Sequence, residues 1–399
     1  MDRNVTFLCL ASYFKGVAFL EEAKAQGCTT ILLTQEKHRH EAWPHHVIDE
    51  TFYMPALNKS DEVQRAVAYL ARDRQIDRIF PLDDYDVEIA ARVREHLRLP
   101  DMGDTTARFF RDKLAMRVQA REEDVRVPDF VHILNHHHIH EFMQRVPAPW
   151  VLKPRSEAGS VGIKKCHSAE EVWKLVEQLG DLQSSYLLEA YVAGDVYHVD
   201  SIVFDDKILF SQCHRYGVPP FNVWNHGGVF STRTLSGEDP VLPELLKMND
   251  KVITAMKLKR GVTHAEFIRG IEDGKVYFLE MAARVGGASI DVLVDKATGV
   301  NLWKEWVRLE LADLEKTGYK PPKRRFEHAS LQLCLSHHQK PDLSAYDAPK
   351  VRWTLNKDHH AGLILAGSDF QRIQQLSDAY IERLKQDFLA IRPPTETAV

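Results

Sequence analysis

With 399 residues the chain has room for two or three domains and a large core. Its 44% hydrophobic and 27% charged residues are ordinary for a globular protein, and a formal net charge of −5 leaves no polybasic footprint, which argues against nucleic acid or an anionic membrane as partner. The cysteines (Cys9, Cys28, Cys166, Cys213, Cys334) are scattered without a C-x-x-C pair, no apolar run reaches membrane-span length, and the N-terminus lacks a basic-then-apolar signal; a cytoplasmic enzyme is the expectation.

Residues 4–100 alternate between strand patterns (5–10, 29–33, 78–81) and helix patterns (17–26, 62–74, 85–97), with Gly27 closing the first helix. This rhythm predicts a doubly wound parallel αβ domain. No G-x-G-x-x-G follows the first strand, so a dinucleotide site is not expected. Leu99-Pro100 and Met102-Gly103-Asp104 punctuate the chain. A helix over 105–120 carries Asp112-Lys113, and a mixed α+β segment runs from Val127-Pro128 to about residue 188. His136, His137, His138 and His140 form a dense cluster, for which a surface turn is the expected reading. Antiparallel strands and helices (240–256, 302–314) fill residues 187–311, and KTGYKPPKRR at 316–325 reads as a linker. A last unit combines strands at 328–335 and 361–367 with a helix at 369–388.

Three segments carry chemistry. Val151-Leu152-Lys153-Pro154 is a strand end that delivers a lysine. After it, Ala158, Gly159, Ser160, Val161 and Gly162 make a loop small enough for backbone N–H groups to approach anionic oxygens; a plain hairpin is the competing reading, and the pattern is not a Walker A loop. Next, Glu189-Ala190-Tyr191-Val192-Ala193-Gly194 joins two strands through a crossing whose backbone can face a purine edge. Last, THAEFI at 263–268 and VYFLEMAARVGGA at 276–288 flank a hairpin signal. If its loop is Glu272-Asp273-Gly274, with Gly274 left-handed, Ile271 pairs with Lys275 and counting outward sets Glu266 opposite Glu280. Two carboxylates about 5 Å apart at an effective dielectric of about 20 repel by roughly 3 kcal/mol, so something positive is expected between them. Arg284 and a hard divalent cation that favours oxygen ligands are the candidates. A two-residue Asp273-Gly274 turn would shift the register by one and put the carboxylates on opposite faces, and a solvated pair of carboxylates is the plain alternative.

Taken in order, Asp112-Lys113, Lys153-Pro154 with Gly159-Ser160-Val161-Gly162, Glu189 to Gly194, Glu266, and Glu280 to Gly287 resemble the ATP-grasp superfamily. Within it the likeness is to the carboxylate–amine ligase branch and its bacterial L-amino-acid ligases. The resemblance implies a mixed α/β and α+β fold, an ATP-grasp fold preceded by the parallel αβ domain. The divisions would be an N-terminal domain over 1–104, a small subdomain with the phosphate loop over 105–188, a large subdomain with the metal and substrate site over 189–315, and a linker and C-terminal subdomain completing the large lobe over 316–399.

It also implies roles. Lys113 and Lys153 would neutralise ATP phosphates beneath a mobile loop of Gly159, Ser160, Val161 and Gly162. Glu189 with the Ala190, Tyr191 and Val192 backbone would hold adenine. Glu266 and Glu280 would hold one or two Mg2+ ions, with Mn2+ able to substitute. Arg284 would stabilise the transferred phosphoryl group, and Gly286 and Gly287 would receive the carboxylate substrate. Two departures stand out. Ala282 occupies a position where the family commonly has an asparagine as a further magnesium ligand, so a second ion would be weak or rely on water. Val196 stands where the family often has a ribose-gripping acid, which leaves Asp195, His198 or Asp200; His198 and Asp200 share one strand face. Specificity is expected from 212–234, where Arg215, His226 and Ser231 are candidate substrate contacts. The leading reading is an amide- or peptide-forming ligase that works through an acyl phosphate and releases ADP and phosphate. A kinase or acid–thiol ligase on the same fold, and a non-catalytic nucleotide-binding protein, are the alternatives. Small carboxylates and amines are the expected partners, and a homodimer is compatible with the chain.

Overall fold

The computed structural model describes residues 4–391. In the N-terminal unit four strands, β1 (Thr6–Ala11), β2 (Thr29–Gln35), β3 (Glu50–Met54) and β4 (Arg78–Pro81), pair in parallel in the order β3-β2-β1-β4. β1 and β4 are buried along their whole length, which is why they read as strands in the sequence. β3, the sequence ETFYM, is only half-buried at every position and so lacks the apolar run that marks β1 and β4. The order reverses between β1 and β4, so the loops that follow them lie side by side at the carboxyl edge of the sheet, where ligands of such sheets bind. Asp86 ties the two loops together by accepting the Ser12 N–H at 2.9 Å and its hydroxyl at 2.6 Å.

The single helix expected over 105–120 is broken. A short helix, Asp104–Ala107, runs into a tight turn at Arg108–Phe110, and a second helix starts at Lys113 and ends at Glu122. Asp112 causes the break: it adopts extended backbone and its carboxylate accepts the N–H groups of Leu114 at 3.0 Å and Ala115 at 3.3 Å. Lys113 is therefore the first residue of a helix rather than a solvated side chain in the middle of one.

The second unit is a small antiparallel sheet of β5 (Phe130–His132), β6 (Trp150–Pro154), β7 (Lys164–Cys166) and β8 (Tyr186–Ala190), in the order β5-β8-β6-β7. Ile139, Phe142, Val172 and Val176, from the helices His136–Arg145 and Ala169–Leu179, pack on its Trp150 and Leu152. The histidine cluster forms the exposed first turn of the former helix, capped by Asn135, instead of the expected surface turn. Because β8 runs through Ala190, Glu189 belongs to this small sheet, and the expected 188/189 division falls inside a strand.

The largest sheet has eight strands: β9 (Gly194–Phe204), β10 (Lys207–Tyr216), β11 (Phe230–Thr234), β12 (Gly261–Gly270), β13 (Val276–Ala282), β14 (His328–Leu335), β15 (Val351–Thr354) and β16 (His360–Gly367). Their order is β13-β12-β9-β10-β11-β14-β16-β15, so the β11–β14 pairing carries the sheet across the 316–325 segment into the C-terminal unit. One face packs Tyr197, Val199, Cys213, Ala265 and Phe267 against the helix Leu242–Ala255. The opposite face packs Ile202 and Val262 against Trp303 and Trp306 of the helix Leu302–Leu314, and the same core continues to Phe7 and Phe80 of the N-terminal sheet. The N-terminal unit is thereby fixed over that face. No helix among the described residues is long and apolar enough to cross a membrane.

A buried ion network fastens this junction. Glu310, 1% exposed, lies 2.9 Å from Arg260 and 3.5 Å from Arg78 of β4, while Asp313 reaches the same arginines at 3.0 and 2.7 Å. Burial, with Asp101 nearby, pushes the Glu310 carboxyl up to about 7 despite both guanidiniums. Glu310→Ala leaves buried Arg78 and partly buried Arg260 short of their shared carboxylate and is expected to cost about 3 kcal/mol. A drop in the denaturant midpoint at unchanged slope measures it.

Candidate active site

The hairpin of β12 and β13 is the floor of the site. Glu266 does pair with Glu280, and Gly274 does take left-handed backbone (φ 67°). The route to that register differs from the expected one. Gly270 N–H donates to Lys275 C=O at 2.9 Å, so the loop has four residues, Ile271 to Gly274, and Arg269 pairs with Val276. A β-bulge between this end and the Glu266–Glu280 pair then restores the register. Leu279 and Glu280 consequently both face the cleft, in sequence, beside Ile268 and Glu266.

Each carboxylate is already bound by donors. Lys113 Nζ lies 2.9 Å from Glu280 Oε2. Burial raises the Glu280 carboxyl, but Lys113 and then Lys153 outweigh it and hold the group below its ordinary value. Glu266 Oε1 accepts the Tyr216 hydroxyl at 2.6 Å, and His264 Nε2 stands 3.6 Å from the same oxygen. At the end of β6, Lys153 pairs with Glu189, which also accepts from Arg117 Nε. Arg117 is wholly buried; it was not found from sequence, although it sits four residues after Lys113, one turn along the same helix face. Burial raises Glu189, and Arg117 and Lys153 reverse that shift; burial likewise lowers Lys153.

The small-residue loop leaves β6 and is held at its base from several directions. Arg155 pairs with Asp112 and its C=O accepts the Lys113 N–H at 2.8 Å. Lys113 Nζ donates to Glu157 C=O at 2.6 Å, Arg111 to Ser156 C=O, and the Tyr85 hydroxyl to Glu157 Oε2 at 2.9 Å. Gly159, Ser160 and Gly162 all take left-handed backbone, the conformation that gathers N–H groups into a concave nest. Arg284 projects toward the N-terminal unit. Its guanidinium is 3.3 Å from Asp84, which Arg111 reaches at 3.0 Å, and these two arginines with Lys113 pull the Asp84 carboxyl far down against its burial. Asp84, Tyr85 and Arg111 were not found from sequence, although the acidic run Asp83-Asp84-Asp86 directly after β4 marks the carboxyl edge where a sheet's ligands gather.

Between these walls lies a cleft that is open to solvent. One part is charged (Lys113, Lys153, Glu157, Glu189, Glu266, Glu280); the other is apolar, where Val192, Val196, Ile268 and Leu279 cluster, with Val151, Ile163, Ala190 and Tyr191 also lining the space. Ser160 and Val161 also face the space, and across it stand Pro219, Pro220, Phe221 and Asn222 at the start of the helix Pro220–His226. Gly286 and Gly287 lie in the turn before the helix Ile290–Thr298.

Several expected contacts are relocated. His198 and Asp200 share a face, as strand alternation requires, but both are fully buried, so neither reaches a ribose from the cleft. The Glu189 carboxylate is turned to Lys153 and Arg117 rather than to a base, and the Ala190 and Tyr191 N–H groups are spent on Asp129 and Pro149 carbonyls at 2.8 and 3.1 Å. Arg215 and Ser231 fall on the opposite face of the sheet from Glu266: Arg215 pairs across strands with Arg233 and binds Asp195 at 2.6 Å, and Ser231 sits opposite Gln332. Their neighbours Tyr216 and Thr232 occupy the inward positions, a difference of one residue in a period-two pattern. His226 is exposed at the end of its helix, outside the cleft lining.

Two inward lysines, a small-residue loop and paired carboxylates thus border one cleft. Residues 20–101 match the ATP-grasp N-terminal domain and residues 146–291 the ATP-grasp domain; the chain belongs to the ATP-grasp family. Over 241 residues it is 24% identical to the L-arginine-specific L-amino acid ligase of Bacillus subtilis, covering 59% of this chain and 58% of that one. Over 194 residues it is 22% identical to D-alanine--D-alanine ligase A of Bacillus cereus, 48% of this chain and 63% of that one. The chain thus spans about three-fifths of the length of these curated relatives. The crystal structure of an L-amino acid ligase from Bacillus licheniformis superposes with a TM-score of 0.76 at 15% identity, over 98% of this chain and 99% of that one, which establishes the fold.

Arg117→Met removes one of the two cations that hold a buried carboxylate. It is expected to destabilise the protein by about 3 kcal/mol, read from chemical denaturation.

Proposed function

We propose that this protein is an ATP-dependent, ADP-forming ligase that joins a small carboxylate, an amino acid or a close relative of one, to an amine. The observation that carries the reading is the Glu266–Glu280 pair facing the cleft beside Lys113 and Lys153. Pure storage of a nucleotide has no use for two inward carboxylates next to two inward lysines. The relatives' printed activities point to amino acids as the class of substrate.

The residues fit magnesium. Both donors are carboxylate oxygens, the ligands a hard cation takes, and a cation, the Lys113 ammonium, already stands at Glu280. Tyr216 and His264 engage Oε1 of Glu266, leaving Oε2 for an ion. Bound magnesium would offset the charge of the β- and γ-phosphate oxygens. Buried Ala282 supplies no ligand, so a second ion would depend on water. Lys113 and Lys153 place point charges on the phosphates, and the nest at Gly159 to Gly162 covers them. The apolar end of the cleft, with Ala190, Tyr191 and Val192 along its wall, takes the purine ring.

In the first step a carboxylate oxygen of the substrate attacks the γ-phosphorus and the bond to the ADP oxygen breaks, giving an acyl phosphate. Arg284, permanently charged and held at the junction by Asp84, steadies the phosphoryl oxygens. The amine nitrogen then attacks the acyl carbon, phosphate leaves, and an amide remains. The Gly286-Gly287 turn offers N–H groups to the carboxylate. Water destroys acyl phosphates, and the loop at 155–162 is placed to exclude it.

Incubation with ATP, magnesium, amino-acid pools and hydroxylamine tests this. Amino-acid-dependent hydroxamate formed together with phosphate is expected, and Glu280→Ala is expected to lower it at least about 100-fold. Phosphorylated product or phosphate release without hydroxamate would replace the ligase reading with a kinase or hydrolase.

A further inference from the structure

Behind Glu266 lies a cluster that the proposed chemistry does not use. Asp200, in the middle of β9, has no exposed surface. Its Oδ2 accepts from His198 Nδ1 at 2.8 Å and its Oδ1 from His264 Nδ1 at 2.8 Å. His198 Nε2 is bonded to the Thr232 hydroxyl at 2.8 Å, and the His198 ring lies against those of His214 and Tyr216, with centroids 4.6 and 4.8 Å away. Asp200, His198 and His264 are the one group of close metal-ligating side chains among the described residues. Both nitrogens of His198 and the Nδ1 of His264 are already hydrogen-bonded, however, so the cluster offers an ion too few free donors.

A carboxylate without solvent contact costs several kcal/mol even after relaxation, and apolar side chains would fill the same space more favourably. What the cluster does hold is orientation. With Nδ1 fixed on Asp200, the far nitrogen of the His264 ring is aimed at Glu266 Oε1, 3.6 Å away. The Tyr216 hydroxyl reaches the same oxygen at 2.6 Å. The cluster also abuts the substrate turn: a Cβ on Gly286 would stand 3.0 Å from His264 Nδ1 and 3.1 Å from Asp200 Oδ1. We propose that Asp200, His264 and Tyr216 are positioning residues: they hold Oε1 of Glu266 away from the cleft so that Oε2 meets the metal, and they set the Gly286 turn from the same buried support. This rests on the reading of Glu266 as a metal ligand. Metal ligand and substrate turn then move as one piece.

The test measures Mn2+ binding to the full chain with ADP, by the electron paramagnetic resonance signal of free Mn2+, alongside ADP binding without metal and the melting temperature. The variants are Glu266→Gln, Tyr216→Phe, His264→Gln and Gly286→Ala. Tyr216→Phe removes a single hydroxyl and keeps the ring packing, so it remains informative if His264→Gln fails to fold. Tyr216→Phe and His264→Gln are each expected to weaken Mn2+ binding about tenfold with metal-free ADP binding unchanged. Gly286→Ala is expected to shift it in the same direction with no carboxylate substrate present, which a turn independent of the cluster would not do. Loss of Mn2+ binding in Glu266→Gln with Tyr216→Phe within twofold of the parent overturns the positioning role and leaves the ligase reading intact. Unchanged Mn2+ binding in Glu266→Gln overturns Glu266 as a metal ligand and the positioning role with it.

Discussion

Two carboxylates set face to face across a β-ladder are the constraint around which the rest of this molecule is arranged. At the separation of directly opposed side chains their repulsion amounts to roughly 3 kcal/mol, and the fold answers it from three sides. Lys113 reaches Glu280 from a helix start that exists because Asp112 caps it. Tyr216 reaches Glu266 from β10, across β9, and His264 stands two residues before it on β12 itself. Lys153 arrives from the small sheet, held near by Glu189 and, through Glu189, by Arg117. Three elements, the Lys113 helix, β10 and β6, thus converge on the hairpin through ion pairs and a hydroxyl, and the cleft is the space left between them.

The N-terminal unit takes part in this arrangement. Asp84 gathers Arg111 and Arg284, and Tyr85 holds Glu157 at the base of the loop. These contacts come from the loop after β4, at the edge where the strand order reverses, while the Trp303 and Trp306 core keeps the unit seated over the large sheet. The small-residue loop is therefore rooted in two units at once, and beyond Glu157 the chain enters the left-handed stretch at Gly159 to Gly162.

Much of this was legible in the sequence. Buried parallel strands announced themselves as apolar runs, and the lysines, the small-residue loop and the acidic pair came in a recognisable order. Other features failed for physical reasons. β3 was hidden by half-burial, and the helix break by the fact that an aspartate within a helical pattern can equally cap a new helix. Arg215 and Ser231 missed by one residue, because strand parity decides everything and polar residues occur on both faces of this sheet. His198 and Asp200 were correctly given one face, but sequence does not say whether a face is open. The Glu266–Glu280 pairing was reached with a loop one residue too short and no bulge, two deviations that cancel at that pair.

That cancellation matters for what the hairpin can present. Two backbones deliver the same opposed carboxylates: a three-residue loop with regular pairing, or the four-residue loop with a bulge that this chain uses. In the regular version Phe278 would turn toward the cleft and Leu279 into the core. The bulge exchanges them, sending Phe278 into the packing beneath the sheet with no exposed surface and bringing Leu279 out beside Glu280. One irregular residue thus lets a single strand supply adjacent greasy and ionic surface, so the boundary between the dry and the charged halves of the cleft is drawn within one peptide unit.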